Sequence, residues 1–73
     1  MTLQEQIISA IDQLWLDGDR VNLHNVWLQT TYDYQEVLAE LHRMLCAKII
    51  YRDDNGNYVE TSEITPKGGQ THE

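Results

Sequence analysis

The sequence predicts a small α+β domain in which three helices are followed by a C-terminal β-hairpin. Apolar residues recur at spacings of three and four as far as position 47, and they alternate with polar residues from Ile49 onward. Asn55 and Gly56 separate the two alternating segments, and this dipeptide favours a tight hairpin turn. A chain of 73 residues has room for one domain.

The first helix is predicted to run from position 3 to Asp17. Thr2 and Glu5 form the S/T-x-x-E capping box, in which each side chain binds a backbone amide at the start of the helix. Gly18 is the natural left-handed residue just beyond the helix end. The residues of its apolar face are Leu3, Ile7, Ile8, Ala10, Ile11, Leu14 and Trp15. They form one broad stripe for packing.

The segment from Arg20 to Leu28 is predicted to contain a short extended piece and a short second helix. Val21 is placed to supply a short third strand of the sheet. Asn22 then caps a helix over positions 23–28. Trp27 lies on its apolar face, and we expect both Trp27 and Trp15 to be mainly in the core. If exposed, Trp15, Trp27, Tyr32 and Tyr34 are candidate anchors of a protein interface.

The third helix is predicted from position 34 to about Ala47. Asp33 caps it, and Glu36 occupies the capping-box position. Its apolar stripe comprises Leu38, Leu41 and Leu45, widened by Val37 and Met44 and extended by Tyr34. The predicted core of the domain is Ile7, Ile11, Leu14, Val26, Trp27, Leu38, Leu41, Leu45 and Ile49.

The hairpin is predicted to comprise strands at positions 49–52 and 57–61. We expect positive φ at both Asn55 and Gly56 in the turn between them. The folded domain is predicted to span residues 1–64. Residues 65–73 contain Pro66, Gly68 and Gly69 but no apolar residue, so we expect them to form a disordered tail.

Positions 37–51 resemble a stretch of the winged helix-turn-helix family; they read VLAELHRMLCAKIIY. In that family the third helix runs through paired leucines, turns, and enters the first wing strand with two apolar residues. The resemblance covers residues 3–61, although Ala47 stands where many members have glycine. It implies a winged-helix fold and DNA binding, with the third helix in the major groove and the hairpin tip on the minor groove or backbone.

The charge of the chain argues against that DNA-binding role. The chain has 5 Lys and Arg against 12 Asp and Glu, a net charge of −7. Positions 53–61 contain Asp53, Asp54 and Glu60 but no Lys or Arg. Since DNA affinity depends largely on Lys and Arg contacts to phosphate, we expect weak DNA binding at most. An acidic surface with interspersed aromatic residues suits a basic protein partner instead.

These alternatives lead to two sets of candidate residues. The candidates for binding a protein partner are Tyr32, which we expect to be exposed, and Gln35, Glu36, Glu40 and Arg43 on the third helix. The candidates for binding DNA are Gln35, Arg43, Lys48 and Arg52. Mimicry of DNA by an acidic domain is a third alternative, and a homodimer would concentrate weak DNA contacts. The sequence thus favours a non-catalytic module for regulation or assembly.

We expect no enzymatic activity, metal or cofactor, because the chain lacks a recognisable catalytic or phosphate-binding motif. His42 and Cys46 are four residues apart, but two ligands do not make a structural zinc site. A single cysteine excludes an internal disulfide and fits a reducing compartment. No apolar run has the length of a membrane span, and the first residues lack a basic signal region, so we expect a cytoplasmic protein without membrane contact.

Overall fold

Residues 2–61 are described by a computed structural model, and they form three helices and a two-stranded antiparallel sheet. The elements are α1 (Leu3–Asp17), α2 (Leu23–Leu28), α3 (Tyr34–Cys46), β1 (Ile50–Arg52) and β2 (Tyr58–Glu60). The predicted α+β class and the order of the elements are confirmed, and the layout is compatible with a winged-helix domain. The predicted boundary at 64 and the predicted tail lie outside the described residues.

Local hydrogen bonds fix both ends of α1 as predicted. The Thr2 hydroxyl accepts from the Glu5 amide, and the Glu5 carboxylate accepts from the Thr2 amide at 2.9 Å. At the other end Gly18 is left-handed with φ 76°, and the Asp19 amide donates to the Leu14 carbonyl at 3.0 Å. The capping box and the terminal glycine therefore define both ends of this helix through local contacts.

The core lies between α1, α2, α3 and one face of the hairpin. Its buried residues are Ile7, Ala10, Ile11, Leu14, Val21, Val26, Val37, Leu41, Met44, Ile50 and Tyr58. The predicted core residues Leu38, Leu45, Trp27 and Ile49 are only partly buried. Because Val37, Leu41 and Met44 are the buried residues of α3, its inner face lies to one side of the expected leucine stripe.

The two ends of α3 differ in detail from the prediction. Asp33 has extended backbone angles at the N-cap, but its side chain makes no capping hydrogen bond. At the C-terminal end Ala47 is still right-handed, and Lys48 adopts the left-handed conformation with φ 62°. The Ile49 amide then donates to the Met44 carbonyl at 3.0 Å. The left-handed turn that suits glycine therefore falls at a lysine, one residue beyond Ala47.

The prediction for the hairpin turn is wrong at Asn55. Tyr51 pairs with Val59, and the Asp53 amide donates to the Asn57 carbonyl at 2.9 Å, so the loop has three residues, 54–56. Only Gly56 is left-handed, with φ 83°. Asp53 is the reason, because its carboxylate oxygen Oδ1 accepts from the amides of Asn55 and Asn57 at 2.9 Å each. These bonds stabilise the wider turn.

Val21 joins the hairpin to the helices without forming the expected third strand. Its carbonyl accepts from the Tyr58 amide at 2.9 Å, and its amide donates to Oδ1 of Asn57 at 3.1 Å. The second hydrogen bond of Val21 is thus made to a side chain and not to the backbone of β2. Because α2 begins at Leu23, the backbone pairing does not extend into a third strand. Ile50 and Tyr58 lie on the buried face of the hairpin.

Within residues 2–61, no helix has both the length and the apolar character needed to cross a lipid bilayer.

Leu41→Ala is expected to lower the free energy of unfolding by about 2–5 kcal/mol, because it empties a fully buried position. Urea denaturation followed by circular dichroism measures this change. Leu28→Ala is the matched control, since Leu28 is 60% exposed and should change stability by less than about 0.5 kcal/mol. Equal effects of the two variants would contradict the described core.

Lys48→Gly is expected to raise the free energy of unfolding by about 0.5–1 kcal/mol, because glycine adopts positive φ without steric cost. Ala47→Gly is the control, and it should destabilise by a similar amount because Ala47 is right-handed. Thermal denaturation of both variants measures the difference. Destabilisation by Lys48→Gly would contradict the positive φ of residue 48.

Candidate functional site

The exposed side of α3 carries four of the five candidates for protein binding. Gln35, Glu36 and Arg43 are exposed, whereas Glu40 is partly buried. The Arg43 guanidinium forms an ion pair with the Glu40 carboxylate on the same helix. These four residues thus present a polar surface whose one cation is already neutralised. Partner binding by this surface stays a prediction.

Tyr32, the fifth candidate, is not the exposed aromatic residue that the sequence predicted. It is partly buried and packs against the core. Its carbonyl accepts from the indole N–H of Trp27 at 3.1 Å, which draws the turn onto α2. Trp27 itself is partly buried, and its ring centroid lies 5.5 Å from that of Tyr34 in a T-shaped arrangement. Tyr34, at 40% exposure, is the aromatic residue that this region presents to solvent.

The four candidates for DNA binding do not form one basic surface. Lys48 and Arg52 line the same open groove of about 500 Å³ beside β1. Arg43 is paired with Glu40, and Gln35 lies in the first turn of α3, at the opposite end from Lys48. The structure therefore brings two of the four together.

The hairpin tip offers little for reading DNA. Oδ1 of Asn57 already accepts from the Val21 amide, and Asp54 is exposed at the tip. Arg52 lies over the Tyr58 ring, with its guanidinium carbon 5.3 Å from the ring centroid. A carboxylate at the tip repels the phosphates that a wing normally approaches.

The described residues contain no group of three or more His, Cys, Asp or Glu that could hold a metal ion. Cys46 is an exposed free thiol.

Trp15 marks a surface outside the two sets of candidate residues. The expectation that Trp15 is mainly core is wrong, because its side chain is 44% exposed. Its indole N–H donates to the Tyr58 carbonyl at 2.9 Å, which holds the ring across the edge of the hairpin. Together with Tyr51, Asp53 and Val59 it lines an open cavity of about 340 Å³. We call this cavity the Trp15 cleft.

A signal for the Trp15 cleft was present in the sequence. Ile7, Ile11 and Leu14 follow the helical spacing of a buried stripe, and Trp15 lies one position beyond it, at the margin of that face. Tyr51 and Val59 share a face of the hairpin because the observed three-residue loop makes them cross-strand partners; the predicted two-residue turn would have paired Tyr51 with Glu60 instead. The sequence could supply neither this register nor the hydrogen bond that places Trp15 beside the hairpin.

The carboxylate of Asp53 is held in a fixed orientation at the cleft. Its Oδ1 accepts from two backbone amides, at Asn55 and Asn57. Its Oδ2 has no hydrogen-bond partner among residues 2–61. One oxygen is therefore used for the turn, and the other remains available to a ligand.

A second open cavity, of about 460 Å³, lies on the other side of Trp15. The remaining residues that line it are Gly18, Asp19, Arg20, Asn55 and Asn57. Leu16, the next residue on α1, is 81% exposed. Apolar side chains and carboxylates thus adjoin one another where the end of α1 meets the hairpin.

Comparisons with protein-family models, with curated proteins and with solved structures find no match to this chain.

Asp53→Ala is expected to lower the free energy of unfolding by about 1–3 kcal/mol, because two turn amides lose a charged acceptor. Asp54→Ala, one residue along, should change stability by less than about 0.5 kcal/mol, since Asp54 is exposed. Urea denaturation compares them. Equal stability of the two variants would show that the Asp53 bonds contribute nothing to the turn.

Proposed function

We propose that this chain is a non-catalytic protein-binding module of winged-helix type, acting in regulation or assembly through the surface around Trp15. The observation that carries the proposal is the state of Trp15, which is 44% exposed but fixed by its hydrogen bond to Tyr58. Tryptophan is highly buried on average in folded domains, and it is enriched at the energetic centres of protein interfaces.

Fixation of the ring matters for affinity. A side chain already held in one rotamer loses little conformational entropy when a partner covers it. The indole N–H of Trp15 is satisfied internally by the Tyr58 carbonyl, so burying it beneath a partner leaves no unpaired donor. Tyr51 and Val59 beside it add apolar area that a partner can cover.

Charge favours a basic partner. The chain carries a net charge of −7, and the exposed acidic residues nearest to the Trp15 cleft along the chain are Asp12, Asp17, Asp19 and Asp54. Carboxylates around an aromatic centre attract a positively charged partner and speed its encounter. The exposed thiol of Cys46 fits the reducing conditions of the cytoplasm, where we propose that the protein acts.

DNA binding is the second candidate, and the observation that favours it is the shared groove of Lys48 and Arg52. Two cations are few for duplex binding, since each neutralised phosphate contributes to affinity through counterion release. The exposed Asp54 at the hairpin tip also opposes this function.

Affinity capture with wild-type protein and variants tests the proposal. Trp15→Ala is expected to lose a partner that wild type retains, because it removes the aromatic centre of the cleft. Tyr51→Ala is a second variant that leaves the indole hydrogen bond in place, and we expect it to weaken the same interaction. Leu28→Ala is the control, since Leu28 is exposed on α2.

Titration of duplex DNA at two salt concentrations completes this test. We expect dissociation constants of about 10⁻⁴ M or weaker, at the weak end of non-specific binding. Submicromolar binding with a steep salt dependence, together with no partner that depends on Trp15, would make DNA binding the favoured function and would contradict the proposed protein binding.

A further inference from the structure

We infer that the Trp15 cleft binds an arginine side chain presented by the protein partner. The inference rests on the proposed function and adds the chemistry of the group that is recognised. Its basis is the combination of residues that line the cleft, namely two aromatic residues, a valine and an aspartate. Each of these suits one part of an arginine side chain.

The two rings supply surfaces for a planar cation. Trp15 and Tyr51 both line the cavity, and tryptophan is the aromatic residue that attracts cations most strongly. A guanidinium group can stack flat on such a ring while its N–H groups still point outward to acceptors. Val59 provides apolar surface for the methylene groups of the arginine stem.

Asp53 supplies the counter-charge in a fixed position. Two backbone amides hold its Oδ1, so the carboxylate needs no reordering when a cation arrives. Its Oδ2 has no hydrogen-bond partner within the described residues. An arginine N–H donated to this oxygen forms a charge-assisted hydrogen bond.

The cations of the described residues leave the cleft free. Among residues 2–61, no Lys or Arg lines it. Arg20 lines the cavity on the other side of Trp15, and Arg52 lies over the Tyr58 ring on the opposite face of the hairpin. Within residues 2–61, the aromatic walls and the carboxylate therefore have no cation bound to them.

The aromatic walls of the open cleft favour arginine over lysine. Lysine ends in a compact, strongly hydrated ammonium group, which gives up more hydration than guanidinium does when it contacts an aromatic wall. Guanidinium is more weakly hydrated and stacks while remaining partly in water. The cleft has a volume of about 340 Å³ and is open to solvent. A side chain of a bound peptide can therefore enter it without rearrangement of the domain.

The side-chain N–H signals in ¹H–¹⁵N NMR spectra provide a direct test. The chain has 2 tryptophans, and Trp27, whose indole N–H binds the Tyr32 carbonyl, serves as the internal control for Trp15. The probes are the acetylated, amidated tripeptide Ala-Arg-Ala and its lysine and citrulline counterparts. The arginine peptide is expected to shift the Trp15 signal saturably, with little change at Trp27.

Two variants measure how much the negative charge of Asp53 contributes to binding. Asp53→Asn keeps an oxygen for the turn amides and removes the charge. It should lower the affinity for the arginine peptide about two- to fivefold, which is the contribution expected of an exposed ion pair. Asp54→Asn is the matched control, with unchanged affinity expected. The lysine peptide should bind more weakly than the arginine peptide, and the citrulline peptide weakest of the three.

Three outcomes would overturn the inference: equal binding of arginine and citrulline peptides, no effect of Asp53→Asn, or concentration-dependent shifts of Trp15 without peptide. The last would identify a second copy of the chain as the occupant. If the arginine peptide fails while a Trp15-dependent partner is still captured, the arginine assignment is wrong and the protein-binding function stands. Failure of both experiments rejects both proposals.

Discussion

The attachment of the hairpin to the helices at Tyr58 is the interaction on which the rest of the structure depends. Strands of three residues each form a hairpin that is marginal by itself. Tyr58 attaches it in three ways: the residue is buried, with 6% exposure, its amide donates to the Val21 carbonyl, and its carbonyl accepts from the Trp15 indole. Without these contacts β2 would have no fixed position against α1, and the cleft between them would not exist.

The same attachment explains why one aromatic ring is buried and another is exposed. Trp15 reaches the Tyr58 carbonyl only by lying across the hairpin edge, which leaves nearly half of its surface in solvent. The Asp53 carboxylate is likewise used first for the turn, through the amides of Asn55 and Asn57. Both groups that we assign to ligand binding thus have a structural role that fixes their geometry in advance, which lowers the entropic cost of binding.

The parts of the fold that local chemistry determines could be predicted from the sequence. Thr2, Glu5 and Gly18 specify α1 through bonds within one helical turn of its ends. Exposure of Trp15 could not be predicted, because it depends on a carbonyl 43 residues away. The orientation of α3 also depends on its neighbours, and a shift of the buried face from Leu38 to Val37 leaves the apolar periodicity unchanged. The predicted positive φ at Asn55 was wrong because the hydrogen bonds of the Asp53 side chain outweigh the turn preference of the Asn55-Gly56 dipeptide.

Native-state hydrogen exchange at the Tyr58 amide tests most directly whether the hairpin and the helices form one cooperative unit. This amide is bonded to the Val21 carbonyl, outside the β1–β2 pairing. We expect it to exchange with the free energy of global unfolding, equal within error to that of the Leu14 amide in the buried part of α1. A Tyr58 amide that exchanges through a local opening several kcal/mol below global unfolding would contradict a rigid cleft at Trp15.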